Sequence, residues 1–316
     1  MKRKISGIAV LLFATAVISS CNGKPEETYN PFDEPKKGEF YPSSVTIDKT
    51  TENTSECESW TDIVKDSEDK IVEYVYDYKY ETGDGDTKNE KRKCKIYYFK
   101  NHAGNDVITT HTNIEYSQQQ KGIKKEYTRT QTENITLNSN GHINKIATTI
   151  AHFENGAEEP VMKTSERTFT YEKSFCTSST YVDESSKTTY TYDWNAYQLT
   201  GITTLKEIYT DGIVEHDKCV YTYDNDRLYS YSGAELMPFV QRGLPEIFAS
   251  MGYFGKCTPY ILLEENHSGR TKYNSSNTTI NTEVTNKFTF NGDADSKIRY
   301  SALSNIYRTY DIVFNK

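Results

Sequence analysis

Apolar and polar residues alternate along most of this chain. From Ile71 to Tyr80 one face carries Val72, Tyr74, Tyr76, Tyr78 and Tyr80, and the other carries Ile71, Glu73, Val75, Asp77 and Lys79. A period of two is the side-chain geometry of a β-strand. Turn-forming pairs punctuate the pattern: Gly83-Asp84-Gly85-Asp86, Gly104-Asn105, Lys121-Gly122, Asn140-Gly141, Asn155-Gly156, Asp211-Gly212, Asn225-Asp226, Ser268-Gly269 and Asn291-Gly292. Between Gly85 and Asn155 these signals come about 15 to 19 residues apart, slower than in compact sandwiches. The strands are therefore expected to be long, about ten to fourteen residues or on the order of 35–45 Å. Long consecutive hairpins predict a mainly β fold: an antiparallel meander, either a curled sheet or a soluble barrel.

A barrel that spans a membrane needs one apolar face along the middle of every strand. The strand expected from Ile123 to Leu137 shows Lys125, Tyr127, Arg129, Gln131 and Glu133 on one face. The other face shows Glu126, Thr128, Thr130, Thr132 and Asn134. Both faces favour water, which argues against a lipid-facing wall.

The period changes between residues 234 and 252. Leu236, Met237, Phe239, Val240, Leu244, Ile247, Phe248 and Met251 recur at helical spacing. Gly243 and Pro245 interrupt the run, and Pro238 and Pro245 suit the first turn of a helix. This predicts a short helical insertion. It reads either as a plug that covers an open sheet end or as a lid that offers Tyr253 and Phe254 to a ligand.

The first twenty residues read as an export signal. Lys2, Arg3 and Lys4 precede the uncharged apolar run Ile5 to Ile18, which is too short to span a bilayer comfortably. Ile18-Ser19-Ser20-Cys21 follows and resembles the lipobox of bacterial lipoproteins. That resemblance implies cleavage before Cys21 and acylation of Cys21, so that the chain meets the membrane through its lipid. Asn22 stands where an inner-membrane retention aspartate would stand, which favours the outer membrane. Lys24-Pro25-Glu26-Glu27 resembles the acidic export tags of Bacteroidetes surface lipoproteins. Pro25, Pro31, Pro35 and Pro42 mark residues 21–45 as an extended tether, and 46–316 as one β-rich domain.

Short hairpin units recur within that domain. Tyr190-Thr191-Tyr192-Asp193 precedes Trp194-Asn195, and Tyr221-Thr222-Tyr223-Asp224 precedes Asn225-Asp226. Phe288-Thr289-Phe290 precedes Asn291-Gly292, and Leu137-Asn138-Ser139 precedes Asn140-Gly141. These units resemble the YD repeat of rearrangement-hotspot and teneurin shells, with irregular spacing. The lipobox, the hairpins and Met251-Gly252-Tyr253-Phe254-Gly255-Lys256-Cys257 together resemble uncharacterised Bacteroidetes lipoproteins with a porin-like domain and a helical insertion. The resemblance implies fold and location only.

Composition narrows the function. Tyrosine occurs 26 times, which suits broad sheet faces covered by amphipathic rings. Without Lys2, Arg3 and Lys4, 34 basic side chains face 45 acidic ones, a net charge of −11. Such a chain is a poor nucleic-acid binder. His102, His111, His142, His152, His216 and His267 lack metal-ligand spacing and read as surface or turn residues. Asp84-Gly85-Asp86 and Asp224-Asn225-Asp226 read as turn chemistry, since neither continues into a calcium loop. Cys57, Cys94, Cys176, Cys219 and Cys257 form an odd set of small strand residues with room for at most two bridges. No nucleophile elbow, phosphate loop or dinucleotide fingerprint occurs, so neither a cofactor nor a metal is expected. The resulting reading is a non-catalytic binding or interaction module of the cell envelope, with a glycan or an envelope protein as partner. The alternative is an envelope glycan hydrolase that uses paired carboxylates, whose positions the order of residues does not name.

Overall fold

The computed structural model describes residues 44–153, 159–210, 212–228, 248, 251–256, 258–273, 278–290, 297–303 and 308–315. These residues form sixteen strands: β1 (Ser44–Thr50), β2 (Thr54–Lys65), β3 (Ile71–Thr82), β4 (Thr87–Lys100), β5 (Asp106–Gln120), β6 (Ile123–Leu137), β7 (Ile143–Phe153) and β8 (Val161–Glu172), followed by β9 (Phe175–Asp183), β10 (Ser186–Asn195), β11 (Gln198–Ile208), β12 (Ile213–Leu228), β13 (Tyr260–Tyr273), β14 (Thr278–Phe290), β15 (Lys297–Leu303) and β16 (Arg308–Asn315). Each strand pairs antiparallel with the next, and β1 pairs with β16 from Ser44↔Asn315 to Thr50↔Thr309, which closes a barrel. The long-stranded antiparallel meander expected from the alternation is thus the fold, and of the two expected forms it takes the barrel.

The turns follow local backbone chemistry where glycine is present. Lys121 and Gly122 both have positive φ (48° and 79°), the conformation of a tight two-residue hairpin. Lys173 and Ser174 make the same turn between β8 and β9 with φ of 49° and 72°, although neither is glycine. Two expected turns are not turns. Asn225-Asp226 lies inside β12, where the ladder slips between Asp224 and Leu228. Ser268-Gly269 lies inside β13. A Cβ on Gly269 would fall 2.5 Å from the Asp217 carboxylate and 2.6 Å from the Thr282 hydroxyl, so this glycine makes room for neighbouring side chains.

Which face points inward follows from burial. Trp60, Tyr76, Ile96, Ile108, Ile135, Ile146, Phe169, Tyr192, Ile202 and Tyr223 come from ten strands between β2 and β12, yet they join Phe248, Met251, Tyr253 and Phe254 in one core cluster. The described residues between β12 and β13 (248, 251–256 and 258–259) therefore plug one end of the barrel, here called the floor. The other end is the rim. Phe254 packs on Phe169 with ring centroids 5.0 Å apart. Ile143 N–H donates to the Tyr253 carbonyl at 2.9 Å, Lys256 N–H to the Ser174 carbonyl at 2.8 Å, and Leu199 N–H to the Thr258 hydroxyl at 2.8 Å. Burial of Tyr253 and Phe254 settles the plug reading for these two residues and overturns their reading as ligand contacts. The rest of the expected 234–252 helix lies outside the described residues apart from Phe248, which is helical, and Met251-Gly252, which lie in a turn.

Aromatic groups near the floor also satisfy backbone carbonyls there. Tyr98 Oη donates to the carbonyl of Ile71 (2.8 Å), Tyr171 to Ile143 (2.7 Å) and Tyr223 to Leu199 (2.7 Å). Trp194 Nε1 donates to Cys176 (2.8 Å). Each bond runs from near the end of one strand to the beginning of the preceding strand, where the carbonyl would otherwise face an apolar core. This is the physical content of the aromatic strand ends in the recurring hairpins.

The outer wall is hydrophilic. Lys91, Lys93 and Lys95 of β4, and His111, Asn113 and Glu115 of β5, are exposed. A lysine facing the middle of a bilayer costs roughly 2–4 kcal/mol. Three on one strand therefore place this wall in water.

Cys94, Cys176 and Cys219 are buried, as expected of small strand residues. Burial pushes the Cys176 thiol up to about 12 and Cys57 up to about 11. Cys21 and Cys257 lie outside the described residues. His142 takes the turn position of the two expected, between β6 and β7, but is fully buried there and stacks on Tyr171, with centroids 4.9 Å apart.

Candidate binding chamber inside the barrel

Inward residues become less buried with height above the floor. Along β5, Ile108, Thr110, Thr112 and Ile114 are buried, Tyr116 and Gln118 are half-buried, and Gln120 is exposed. The plugged half is packed and the rim half is accessible.

Antiparallel register arranges the rim half as rows of directly opposed side chains. One row runs Tyr80, Lys88, Gln118, Lys125. The next runs Glu58, Tyr78, Glu90, Tyr116, Tyr127, and the third Trp60, Tyr76, Arg92, Ile114, Arg129, His152. Residues about twenty positions apart in sequence thus become neighbours. The tyrosine-rich face of β3, legible from its alternation, is the inward face, and so is the Lys125–Glu133 face of β6.

Cations lie on the tyrosine rings. Lys88 Nζ sits 5.2 Å from the Tyr78 centroid and 5.7 Å from that of Tyr116. The guanidinium of Arg92 sits 4.8 Å from Tyr76, that of Arg129 4.4 Å from Tyr127, and that of Arg167 5.2 Å from Tyr181 and 5.9 Å from Tyr190. Tyr116 and Tyr127 stack at 4.4 Å. A ring face attracts a cation through its quadrupole and leaves the outer N–H groups free to point into the chamber.

Acids and hydrogen bonds tie parts of this lattice together. Tyr76 Oη donates to Glu58 (3.1 Å), Arg92 pairs with Glu90, and Arg129 Nε donates to His152 Nδ1 (3.2 Å). Glu133 accepts from Thr110 Oγ1 (2.9 Å) and Gln131 Nε2 (3.1 Å). Burial raises the Glu133 pKa, while those hydrogen bonds and the charges of Arg92 and Arg167 pull it down. Across the chamber Lys206 pairs with Glu215 at 3.0 Å. None of these residues carries a local sequence signal. Their common parity with the tyrosines is the signal that could have found them.

A groove of about 670 Å³ also crosses β3 to β7, lined chiefly by outward residues. Its central row is Asp77, Lys91, Glu115, Thr128, Phe153. Alternating charges at opposed positions largely neutralise one another. Of the two acidic pairs read as turn chemistry, Asp86 accepts from Lys121 N–H (2.9 Å) of the β5–β6 turn, whereas Asp224 accepts from Asp226 N–H (3.0 Å) inside β12, where the ladder slips.

No protein-family model matches the chain, and no curated protein matches it. Among solved structures it is similar to a porin-like protein from Bacteroides uniformis, at 12% identity and a TM-score of 0.49, over 87% of this chain and 97% of that one.

Proposed function

We propose that this protein is a lipid-anchored binding module of the cell envelope that takes a glycan into the rim half of its barrel. The observation that carries this reading is the inward lattice of tyrosines, arginines and lysines above a plugged floor. Ligand sites are concave, with rigid aromatic surfaces and a few placed polar groups, and this chamber has that composition. The tether expected over 21–45 supports the same arrangement. Ser44 opens β1 on the floor side, and the strand runs toward the rim, where Thr50 pairs with Ser55. Acylation of Cys21 at the outer membrane would therefore hang the barrel floor-first and leave the rim facing away from the lipid.

A second reading has one observation in its favour. Glu133 is an inward carboxyl whose pKa is raised, as a general acid of a glycan hydrolase requires. The experiment is a glycan-array screen of residues 44–316, with each hit incubated for hours and assayed for product. Binding without turnover is the expected result. Turnover that is lost in Glu133→Gln would replace the binding reading by the hydrolase.

A further inference from the structure

Among the described side chains three arginines enter the chamber from the wall, and their partners differ. Arg92 is paired with Glu90, and Arg129 donates to His152. Arg167 lies between Tyr181 and Tyr190 and above Phe169, which is buried in the floor. Its Nε is buried and finds no hydrogen-bond acceptor among the described residues. The inward carboxyl that feels its charge is Glu133, which is held by Thr110 and Gln131 and is biased toward its neutral form by burial. A buried guanidinium nitrogen without an acceptor costs free energy unless a ligand supplies one. The planar fork of arginine fits a carboxylate through two parallel hydrogen bonds.

The same chamber keeps further cations on tyrosine faces, at Lys88, Arg92 and Arg129. Ser165 lies one inward step from Arg167 on β8, opposite Asp183, and Tyr181 and Tyr190 add hydroxyl groups beside it. Hydroxyls around a cation suit a sugar acid.

We propose that Arg167 is the anion-recognising group of the chamber and that its ligand is an acidic saccharide that presents a uronate carboxylate to the guanidinium. This rests on the glycan-binding reading and specifies the ligand class. Affinity is measured by titration calorimetry on residues 44–316, using trimers of galacturonate, glucuronate and mannuronate, each beside its neutral methyl ester.

The expected result is that at least one acid binds about tenfold or more tightly than its ester, and that Arg167→Met removes this preference. Arg167→Lys, which keeps the charge and loses the fork, should recover part of it. A thermal melt of each variant separates lost binding from lost fold. If Arg167→Met does not fold, Arg167→Lys and the acid-to-ester ratio of the unaltered protein decide the matter. Equal binding of acid and ester, or binding of neutral glycans alone, overturns this inference and leaves the glycan reading standing. Failure of every acidic and neutral glycan to bind overturns both.

Discussion

Replacing Gly255 by alanine is expected to destabilise the barrel by roughly 3–5 kcal/mol, at the severe end of single substitutions. Gly255 has φ of +79°, and a Cβ there would fall 2.1 Å from the Ser174 carbonyl oxygen. That oxygen also accepts the Lys256 N–H bond, and Phe175 bridges to Gly255, so the floor plug is stitched to the β8–β9 turn at this point. The added methyl cannot move aside, because the obstructing atom is backbone. Either the turn or the plug must shift, and with the plug go the buried contacts of Met251, Tyr253 and Phe254. Gly104 provides the control. It has the same φ of +79° with nothing within 4 Å of its missing Cβ. Gly104→Ala should cost only the left-handed backbone penalty, roughly 1 kcal/mol. Urea unfolding of both variants measures the difference. Equal losses would show that the plug is not pinned at Gly255.

Cys21→Ala is expected to convert the protein from essentially fully membrane-bound to soluble. The chain carries a net charge of −8 and the outer wall of β4 and β5 is hydrophilic, so neither would hold it on an anionic lipid surface. Each buried methylene of an acyl chain contributes about 0.8 kcal/mol, and stable anchoring takes more than one chain. Labelling with a clickable palmitate analogue should disappear in the variant along with its recovery in the membrane fraction. Undiminished labelling would remove Cys21 as the anchor. Lost labelling with retained membrane binding would point to a protein partner.

The strands were legible because alternation and positive-φ turns are local properties. Gly85, Gly104, Lys121-Gly122 and Gly141 announce their turns through residues suited to positive φ. Lys173-Ser174 could not be read this way. Its left-handed turn is held by tertiary contacts, since the Ser174 carbonyl receives Lys256 N–H from the plug. Gly269 misled in the opposite sense: a strand glycine cleared for Asp217 and Thr282 looks in sequence like a turn glycine. The polar parity of β6 showed that the wall would not face lipid, but not that Lys125, Tyr127, Arg129, Gln131 and Glu133 line a chamber. Whether a polar face points to solvent or into a barrel depends on closure and on the plug, which are properties of the whole chain. The cation–tyrosine pairs were invisible for the same reason, because Arg167 and Tyr181 meet only once β8 and β9 are in register.

The most direct test is to ask which face of the β3–β6 wall holds the ligand. Two variants of residues 44–316 are compared on the tightest-binding glycan from the array, one with Tyr78, Tyr116 and Tyr127 changed to alanine and one with Lys79, Lys91 and Phe153 changed to alanine. Truncating an aromatic anchor of a binding site costs upwards of about 1 kcal/mol, so the inner variant, which loses three, should lose at least about a hundredfold in affinity. The outer variant should bind within about twofold of the unaltered protein. Loss confined to the outer variant, with both proteins folded by circular dichroism, would contradict a binding chamber inside the barrel.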